Sequence, residues 1–304
     1  MKWLINDKRC TLYLKKWTNR SLFFLKWFFA LSLLWPLFQI TTFAHFIVPT
    51  GSMLPTLLPG DRILVNKWIM GGRLFNLLDA LEGKEVKIFR LPGFGEIRRN
   101  DVLVFNYPYS HASDSISMNI MSYYVKRCVA LPGDTFEIRK GHNKVHGIEK
   151  TVLGNLYGQN QLGQLAKMGK TNHINMYGPC FPNDTIINWT IVDFGPIFLP
   201  RKESRVVMNR QNATIYRNAI EWEQKQRLHL HGDSVLLGDS LINEYVFLKN
   251  YYFVMGDNVL DSQDSRFWGL LPEEYIVGKA TRIWKSIDKT TGIERQERIL
   301  KKIH

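Results

Sequence analysis

The sequence has few cysteines, and they fit neither of the two patterns in which cysteines usually define a fold. Cys10, Cys128 and Cys180 are the three cysteines among 304 residues, and no two of them have CxxC spacing. Three isolated cysteines are too few for a disulfide framework, and their spacing matches no zinc motif. The length is sufficient for a sizeable core. We therefore expect a folded protein without a disulfide framework or a zinc site. Cys128 and Cys180 could meet on the same side of the membrane, but isolated cysteines are more often unpaired, and we do not predict a bridge.

Acidic residues are scarce relative to basic ones. The chain has 40 Lys and Arg against 27 Asp and Glu, which gives a net charge of +13. Such an excess suits nucleic acid or an anionic membrane surface. The first 26 residues contain seven basic residues and a single acidic one, Asp7, directly before an apolar run. No helix-turn-helix or zinc-finger pattern accompanies the charge, so it predicts membrane topology with a cytoplasmic N-terminus and no nucleic-acid role.

Residues 22–48 form the most apolar stretch and predict one membrane anchor. The stretch carries Lys26 near its start and no other charge except on a protonated His45, and about 20 apolar residues are enough to cross a bilayer. We therefore predict a basic cytoplasmic tail over 1–21 and a transmembrane helix over 22–48. The alternative is a signal peptide cleaved near Ala44, but the run exceeds the usual apolar length of such peptides.

Beyond the apolar stretch, the pattern changes to short β-branched runs broken by Gly, Pro and Asp. These runs predict a mainly β fold of irregular antiparallel sheets. A region rich in Asn, Gln, Gly and Lys interrupts the runs and predicts an inserted α+β subdomain over 141–246. The β domain then consists of 49–140 and 247–288. The basic tail over 289–304 spaces its apolar residues as an amphipathic helix does, which predicts contact with a membrane surface.

The sequence lacks a histidine that is placed to activate a serine. His111, Ser113 and Asp114 are too close in the chain to converge as a triad, and no GxSxG motif is present. His229 and His231 would share one face of a strand and could hold a metal. No carboxylate or cysteine of metal-ligand spacing supports them, and surface or core histidines are commoner. We therefore predict no metal and no cofactor.

Ser52 and Lys126 are the remaining candidates for catalysis. Ser52 lies in PTGSMLPTLLPGD, just after the apolar stretch, and Lys126 lies in the apolar strand YYVKRCVALPGD. An ordinary lysine, with a pKa near 10.4, is neutral in about one molecule in a thousand near pH 7.5. Burial disfavours the ammonium and lowers that pKa, so a buried Lys126 could take the proton of Ser52. Taken alone, the residue is better explained as a half-buried lysine with its amine in solvent.

Four ordered motifs resemble the conserved boxes of type I signal peptidases, the Ser/Lys leader peptidase family. Together with the apolar stretch they cover about a quarter of the chain and frame nearly all of it. The resemblance implies a membrane-bound serine endopeptidase that removes N-terminal signal peptides from exported preproteins, with Ser52 as nucleophile and Lys126 as general base. The motifs are PTGSMLPTLLPGD (49–61), RRNDVLVFNYP (98–108), YYVKRCVALPGD (123–134) and MGDNVLDSQDSRFWGLLP (255–272).

The same resemblance assigns roles to further residues. The Ser52 backbone N–H and the Thr50 hydroxyl would hold the oxyanion, and Thr50 stands where the family usually has serine. Ser262 matches the serine that orients the lysine, and Asp264 and Arg266 match a structural ion pair. The adjoining turn contains Asp257 and Asn258. The residues that resemble the walls of a shallow pocket for small side chains are Phe46, Val48, Pro49, Met53, Tyr124 and Val125.

The chain also departs from the family pattern. Val259 and Leu260 stand where the family commonly has a basic and an acidic residue, so this chain lacks that pair. Three tryptophans of the β domain are candidate lipid contacts, although tryptophan in a β domain is more often core: Trp68, Trp268 and Trp284.

The resemblance implies secretory preproteins with Ala-x-Ala-like cleavage sites as partners, together with membrane lipid and the secretion translocon. It places the chain in the cell (inner) membrane, with the catalytic domain on the outer, periplasmic face. Two other functions remain open. One is a specialised pilin-processing or self-cleaving relative with the same dyad, and the other is a catalytically silent, membrane-tethered assembly factor.

Overall fold

The computed structural model describes residues 17, 20–32, 34, 42–76, 78–79, 82, 86, 88–109, 115–149, 151–170 and 179–304. Its strands, in chain order, are β1 (Phe43–Ile47), β2 (Asp61–Asn66), β3 (Arg73–Leu74), β4 (Phe89–Arg90), β5 (Val102–Asn106), β6 (Tyr123–Ala130), β7 (Thr135–Arg139), β8 (His142–Val145), β9 (Phe194–Phe198), β10 (Arg205–Val207), β11 (Leu228–His231), β12 (Ser234–Leu237), β13 (Ser240–Leu241), β14 (Glu244–Val246), β15 (Tyr251–Met255), β16 (Leu271–Pro272) and β17 (Ile276–Ser286). Among the described residues after β4, the α-helices are α1 (Leu156–Lys167), α2 (Arg210–Gln224) and α3 (Ser265–Trp268).

A seven-stranded antiparallel sheet with the order β1-β2-β17-β5-β6-β15-β16 forms the centre of the fold. The alternating burial of β2 is that of a strand with one face on the core. All five residues of β5, VLVFN, are buried, because this strand lies between β17 and β6 and is covered on both faces. The prediction of a mainly β fold with antiparallel sheets is confirmed.

The region between β6 and β15 forms smaller sheets and carries helices α1 and α2. β7 lies between β8 and β9, β10 pairs with β14, and β12 lies between β11 and β13. The ring of Phe253 in β15 lies 4.6 Å from that of Phe136 in β7 and 5.4 Å from that of Phe194 in β9. The insertion therefore shares its core with the central sheet, and its first strand begins before residue 141, where the sequence suggested the boundary.

The predicted anchor over 22–48 extends too far towards the C-terminus. Residues 20–32 are helical, but Phe43–Ile47 form β1, which pairs along its length with β2. Ala44 and Phe46 face the core while their neighbours are exposed, and this two-residue period explains why an apolar segment here is a strand. Residues 1–16, 18–19, 33 and 35–41 of the predicted tail and anchor lie outside the described residues. Within the described part of the chain, no helix has the length and apolarity needed to cross a membrane.

The C-terminal tail is not the amphipathic helix that the sequence suggested. It consists of turns, including a short 3-10 turn over Gln296–Arg298, and it contacts β17 through an isolated bridge between Lys302 and Arg282 and through the Ile303 N–H, which donates to the Thr281 carbonyl (3.0 Å). The Arg298 guanidinium forms a buried ion pair with Asp61, with Nη2 and Oδ2 2.5 Å apart. Ile303 is buried against β17, whereas Ile293 (67%) and Leu300 (62%) remain exposed, so the apolar residues of the tail do not form one continuous face.

The three tryptophans proposed as lipid contacts have different environments. Trp268 is 6% exposed and lies 6.0 Å from the ring of Phe105, so the prediction of lipid contact is wrong for this residue. Trp284 is half-buried. Trp68 is 49% exposed.

Candidate active site

Ser52 and Lys126 lie side by side, although 74 positions separate them in the sequence. Ser52 lies in the loop that joins β1 to β2, and Lys126 lies in β6. The Lys126 Nζ is 2.6 Å from the Ser52 Oγ. Lys126 is only 4% exposed. A serine hydroxyl in hydrogen-bond contact with a buried amine can be activated by transfer of its proton to that amine.

The surroundings of Lys126 favour the neutral amine. Burial is the main cause that lowers its pKa, from 10.5 to about 8, and the nearby Arg266 guanidinium lowers it further. The carboxylates of Asp264, Asp261 and Asp257 act in the opposite direction but are outweighed. With a pKa of about 8, about a quarter of the amines are neutral at pH 7.5. This fraction is about two hundred times the neutral fraction of an ordinary lysine at the same pH.

The turn after β15 holds the serine loop in place. The Asn258 backbone N–H donates to the Ser52 carbonyl (3.1 Å), and the Asn258 Nδ2 donates to the Gly51 carbonyl (3.1 Å). Asp257 accepts two hydrogen bonds from the Arg127 guanidinium, at 2.7 and 2.6 Å. Arg127 follows Lys126 in β6, so this buried ion pair links the strand of the lysine to the turn that holds the serine.

Gly256 lies where the loop of Ser52 and the last motif meet. A Cβ at this position would lie 2.1 Å from the Ser262 Oγ and 2.5 Å from the Ser52 carbonyl oxygen, so only glycine fits. The Ser262 Oγ is buried and has no hydrogen-bond partner among the described residues. The expected orienting contact with Lys126 is therefore not formed here, and that role of Ser262 stays a prediction.

Asp264 and Arg266 form a fully buried ion pair beneath the site. The Arg266 Nε donates to Asp264 Oδ1 (2.8 Å), and the Arg266 Nη2 donates to Asp264 Oδ2 (2.9 Å). The Asp264 carboxylate also accepts from the Gly256 backbone N–H (2.9 Å). The pair thus connects helix α3 to the end of β15, beside the serine loop.

A cavity of about 480 Å³ opens in front of the Ser52 hydroxyl. All six residues that the sequence suggested as pocket walls line it: Phe46, Val48, Pro49, Met53, Tyr124 and Val125. Thr50 also lines the cavity and is exposed at its edge. Sequence reasoning missed Ile47, Tyr123, Asp261 and Gln263, which line it too. Each of these four residues directly adjoins a residue that the sequence analysis selected, and this adjacency was the available signal.

The histidines and cysteines form no second site in the described structure. His229 and His231 are both exposed on β11, and no group of three side chains suited to metal binding occurs among the described residues. Cys128 and Cys180 are buried free thiols. His111, Ser113 and Asp114 lie outside the described residues, as does Cys10.

The chain is similar to known signal peptidases along most of its length. The family model described as "Signal peptidase, peptidase S26" matches residues 21–285. Signal peptidase I of Buchnera aphidicola subsp. Schizaphis graminum is 30% identical over 269 residues, which are 86% of this chain and 76% of that protein. Signal peptidase I of Pseudomonas aeruginosa is 30% identical over 257 residues, which are 79% of this chain and 64% of that protein.

A crystal structure of a signal peptidase I from Enterococcus faecalis V583 was also matched. It is 21% identical, covers 62% of this chain and 100% of its own, and gives a TM-score of 0.28, which is too low to support an argument about the fold. The family match rests instead on the sequence, because the matched residues 21–285 include all four motifs of the candidate site. The chain therefore belongs to the signal peptidase family, peptidase S26, and is a serine endopeptidase.

Proposed function

We propose that this chain removes N-terminal signal peptides from exported preproteins, with Ser52 as the nucleophile and Lys126 as the general base. The observation that carries the proposal is the 2.6 Å contact between the Lys126 Nζ and the Ser52 Oγ. The burial that lowers the pKa of Lys126 to about 8 supplies a neutral amine at neutral pH. Contact and protonation state together meet the two requirements of a general base.

The reaction follows from these two side chains. The neutral Lys126 amine takes the proton of Ser52 as the Ser52 Oγ attacks the carbonyl carbon of the scissile bond. The resulting oxyanion accepts hydrogen bonds from the Ser52 backbone N–H and the Thr50 hydroxyl. The Lys126 ammonium then donates its proton to the leaving amine, which departs as the mature protein. Water, deprotonated by the same amine, hydrolyses the acyl-enzyme and releases the signal peptide.

The cavity suits a peptide with small side chains before the cleaved bond. Its walls beside Ser52 are largely apolar, and shallow apolar pockets of this kind select small residues of the Ala-x-Ala type. β15 pairs with β6 only from Arg127 to Ala130, so no strand of the described structure pairs with that edge of β6 over its first half. An extended substrate can add to this edge by backbone hydrogen bonds.

We propose further that the enzyme is anchored in the cell membrane, with its N-terminus in the cytoplasm and its catalytic domain on the outer face. The support is the basic segment that precedes the apolar stretch, together with the exposed aromatic side chains of the helical residues 20–32, such as Phe24 (69%) and Phe28 (68%). An anchor so close to β1 keeps Ser52 near the bilayer surface, where signal peptides emerge. Preproteins, lipid and the translocon are therefore the proposed partners.

The experiment is cleavage of an ordinary secretory preprotein by the full chain in nonionic detergent. Ser52→Ala and Lys126→Ala should each abolish cleavage while leaving the circular dichroism spectrum unchanged. Lys144→Ala is the matched control, because Lys144 is exposed on β8, away from the cavity. Cleavage by either dyad variant would refute the mechanism. A folded wild type that ignored the preprotein would instead favour a specialised relative with a narrower substrate.

A further inference from the structure

The C-terminal tail donates hydrogen bonds to the loop that carries Ser52. We call residues 48–60, between β1 and β2, the serine loop, and residues 287–304, after β17, the tail. The donors in the tail are cationic side chains, and charge-assisted hydrogen bonds are stronger than neutral ones. Backbone carbonyls at the start, middle and end of the serine loop accept from them: Pro49 from Lys289 Nζ (2.9 Å), Thr56 from Arg298 Nη2 (2.9 Å) and Pro59 from Arg295 Nη1 (3.2 Å).

The backbone of the tail also packs closely against the end of the serine loop. The Ile287 N–H donates to the Gly60 carbonyl (3.2 Å). A Cβ at Gly60 would lie 1.9 Å from the Ile287 carbonyl oxygen, and Gly60 has a φ of +93°, so this approach requires glycine. The tail and the serine loop therefore fit each other in their main chains as well as through side chains.

A turn with its own hydrogen bonds presents Lys289 to the serine loop. The Asp288 carboxylate accepts from the backbone N–H groups of Thr290 (2.8 Å) and Thr291 (3.1 Å), and Arg295 Nη2 lies 2.5 Å from it. These backbone N–H groups, followed by the Arg295 side chain, lower the pKa of Asp288 to about 2, so the carboxylate is charged at neutral pH. The Lys289 side chain therefore extends from a backbone that is already held in place.

The tail also reaches the ion pair beside Lys126. Thr56, one of the three carbonyl acceptors, donates its hydroxyl to the Asp257 carboxylate. Arg127 is paired with that carboxylate, and its Nη1 donates to the His304 carbonyl (2.7 Å). Because Arg127 adjoins Lys126 in β6, the tail contacts both the loop of the proposed nucleophile and the strand of the proposed base.

We infer that the tail positions the serine loop for the reaction, with Lys289 and Arg295 as positioning residues. Neither side chain lines the substrate cavity, so each acts through the backbone that it holds. Lys289 fixes the Pro49 carbonyl, next to Thr50, the proposed oxyanion donor. Displacing a group of this kind by about 1 Å can lower a rate about a hundredfold. The inference rests on the proposed function, since it concerns the same site around Ser52.

The test is preprotein cleavage by the full chain in nonionic detergent, with kcat and KM measured separately. Lys289→Met removes the donor but keeps the length of the side chain, so it should lower kcat about tenfold and change KM less than about twofold. Because Lys289 is exposed, the thermal melt of this variant should match that of the wild type. Lys289→Arg keeps a donor and should restore most of kcat. Lys301→Met is the matched control, because it removes the same charge from an exposed position of the same tail.

Arg295→Met tests the contact with the Pro59 carbonyl and should also lower kcat of the folded enzyme. A kcat for Lys289→Met equal to that of Lys301→Met would overturn the inference, and so would a loss of kcat that Lys289→Arg did not restore. A tail that only stabilised the fold would lower the melting temperatures of the variants and leave kcat of the folded enzyme unchanged, which would also overturn it. Ser52→Ala separates the two proposals. Cleavage by Ser52→Ala would refute the proposed function, whereas an inactive Ser52→Ala beside a fully active Lys289→Met would refute the positioning role alone.

Discussion

Gly158, in helix α1 of the inserted region, packs against Val259, in the turn that follows β15. A Cβ at Gly158 would lie 2.8 Å from the Val259 Cγ2 and 2.7 Å from the Asp257 carbonyl oxygen. Val259 is 4% exposed. The same turn holds the Ser52 loop through Asn258. The insertion therefore contacts the turn that holds Ser52, the proposed nucleophile, and an apolar residue at position 259 makes that contact possible.

Replacing Gly158 by alanine should destabilise the protein and lower its activity. The added methyl group would overlap a backbone oxygen that cannot move without shifting the turn, and overpacking of this kind costs about 1–3 kcal/mol. This cost exceeds the roughly 1 kcal/mol by which alanine improves on glycine inside a helix. Urea unfolding and preprotein cleavage measure the two effects. Gln164→Ala, on the exposed side of the same helix, should change stability by less than about 0.5 kcal/mol, and a Gly158→Ala variant as stable as this control would contradict the argument.

The pH dependence of cleavage should report the protonation of Lys126. The proposed reaction needs the neutral amine of Lys126, and burial lowers the pKa of that amine to about 8. The kcat/KM value should therefore rise about tenfold per pH unit below pH 7 and level off above about pH 8. A rate that is flat between pH 6 and 9 would rule out Lys126 as the titrating base. So would a rising limb that persisted in the residual activity of Lys126→Ala.

The same lysine should make stability depend on pH. Its folded-state pKa of about 8 lies below the unfolded value of about 10.4, so the unfolded chain binds more protons between these two values, and stability rises with pH across that window. Below pH 8 the cost of the buried ammonium is present in full. Lys126→Met, which removes the charge but keeps the volume, should therefore be up to about 3 kcal/mol more stable at pH 7. This advantage in the free energy of unfolding should shrink towards pH 10, as measured by urea unfolding. A difference between variant and wild type that did not change with pH would show that folding does not lower the pKa of Lys126.

Much of the site could be predicted from the sequence because its motifs are short and local. Ser52, Lys126 and the six pocket residues lie in or beside short motifs that resemble those of a known family, and that resemblance predicted their roles where the residue types alone did not. The burial of Val259 could not be predicted in this way, because it depends on packing against helix α1, about a hundred residues earlier in the chain. The two elements that were wrongly predicted have a different explanation. The apolar residues of β1 and the basic tail after β17 were interpreted as membrane elements, but each contacts the neighbouring strand in the chain: β1 pairs with β2, and the tail forms a bridge to β17 between Lys302 and Arg282.

Breaking the buried ion pair of Asp264 and Arg266 should be costly. Both side chains are fully buried, so Arg266→Met would leave a carboxylate without its counter-ion, and such a change destabilises a protein by about 3–5 kcal/mol. The exposed pair of Arg205 and Glu244 offers a direct comparison, because Arg205→Gln should cost less than about 1 kcal/mol. Urea unfolding at pH 7 measures both variants. Adding Asp264→Asn to Arg266→Met should restore part of the loss, and a double variant no more stable than the single one would show that the charge is not responsible.

Thr50 should contribute to catalysis through its hydroxyl alone. It lines the cavity beside Ser52 and is exposed, so changes there should leave stability within about 0.5 kcal/mol of the wild type. Thr50→Val keeps the shape but removes the donor, and the loss of one oxyanion donor lowers kcat by about 10²–10³. Thr50→Ser keeps the donor and should retain most of the activity, with KM little changed in both variants. If valine and serine gave the same kcat, the hydroxyl would have no part in stabilising the oxyanion, and the Ser52 backbone N–H would have to act with another donor.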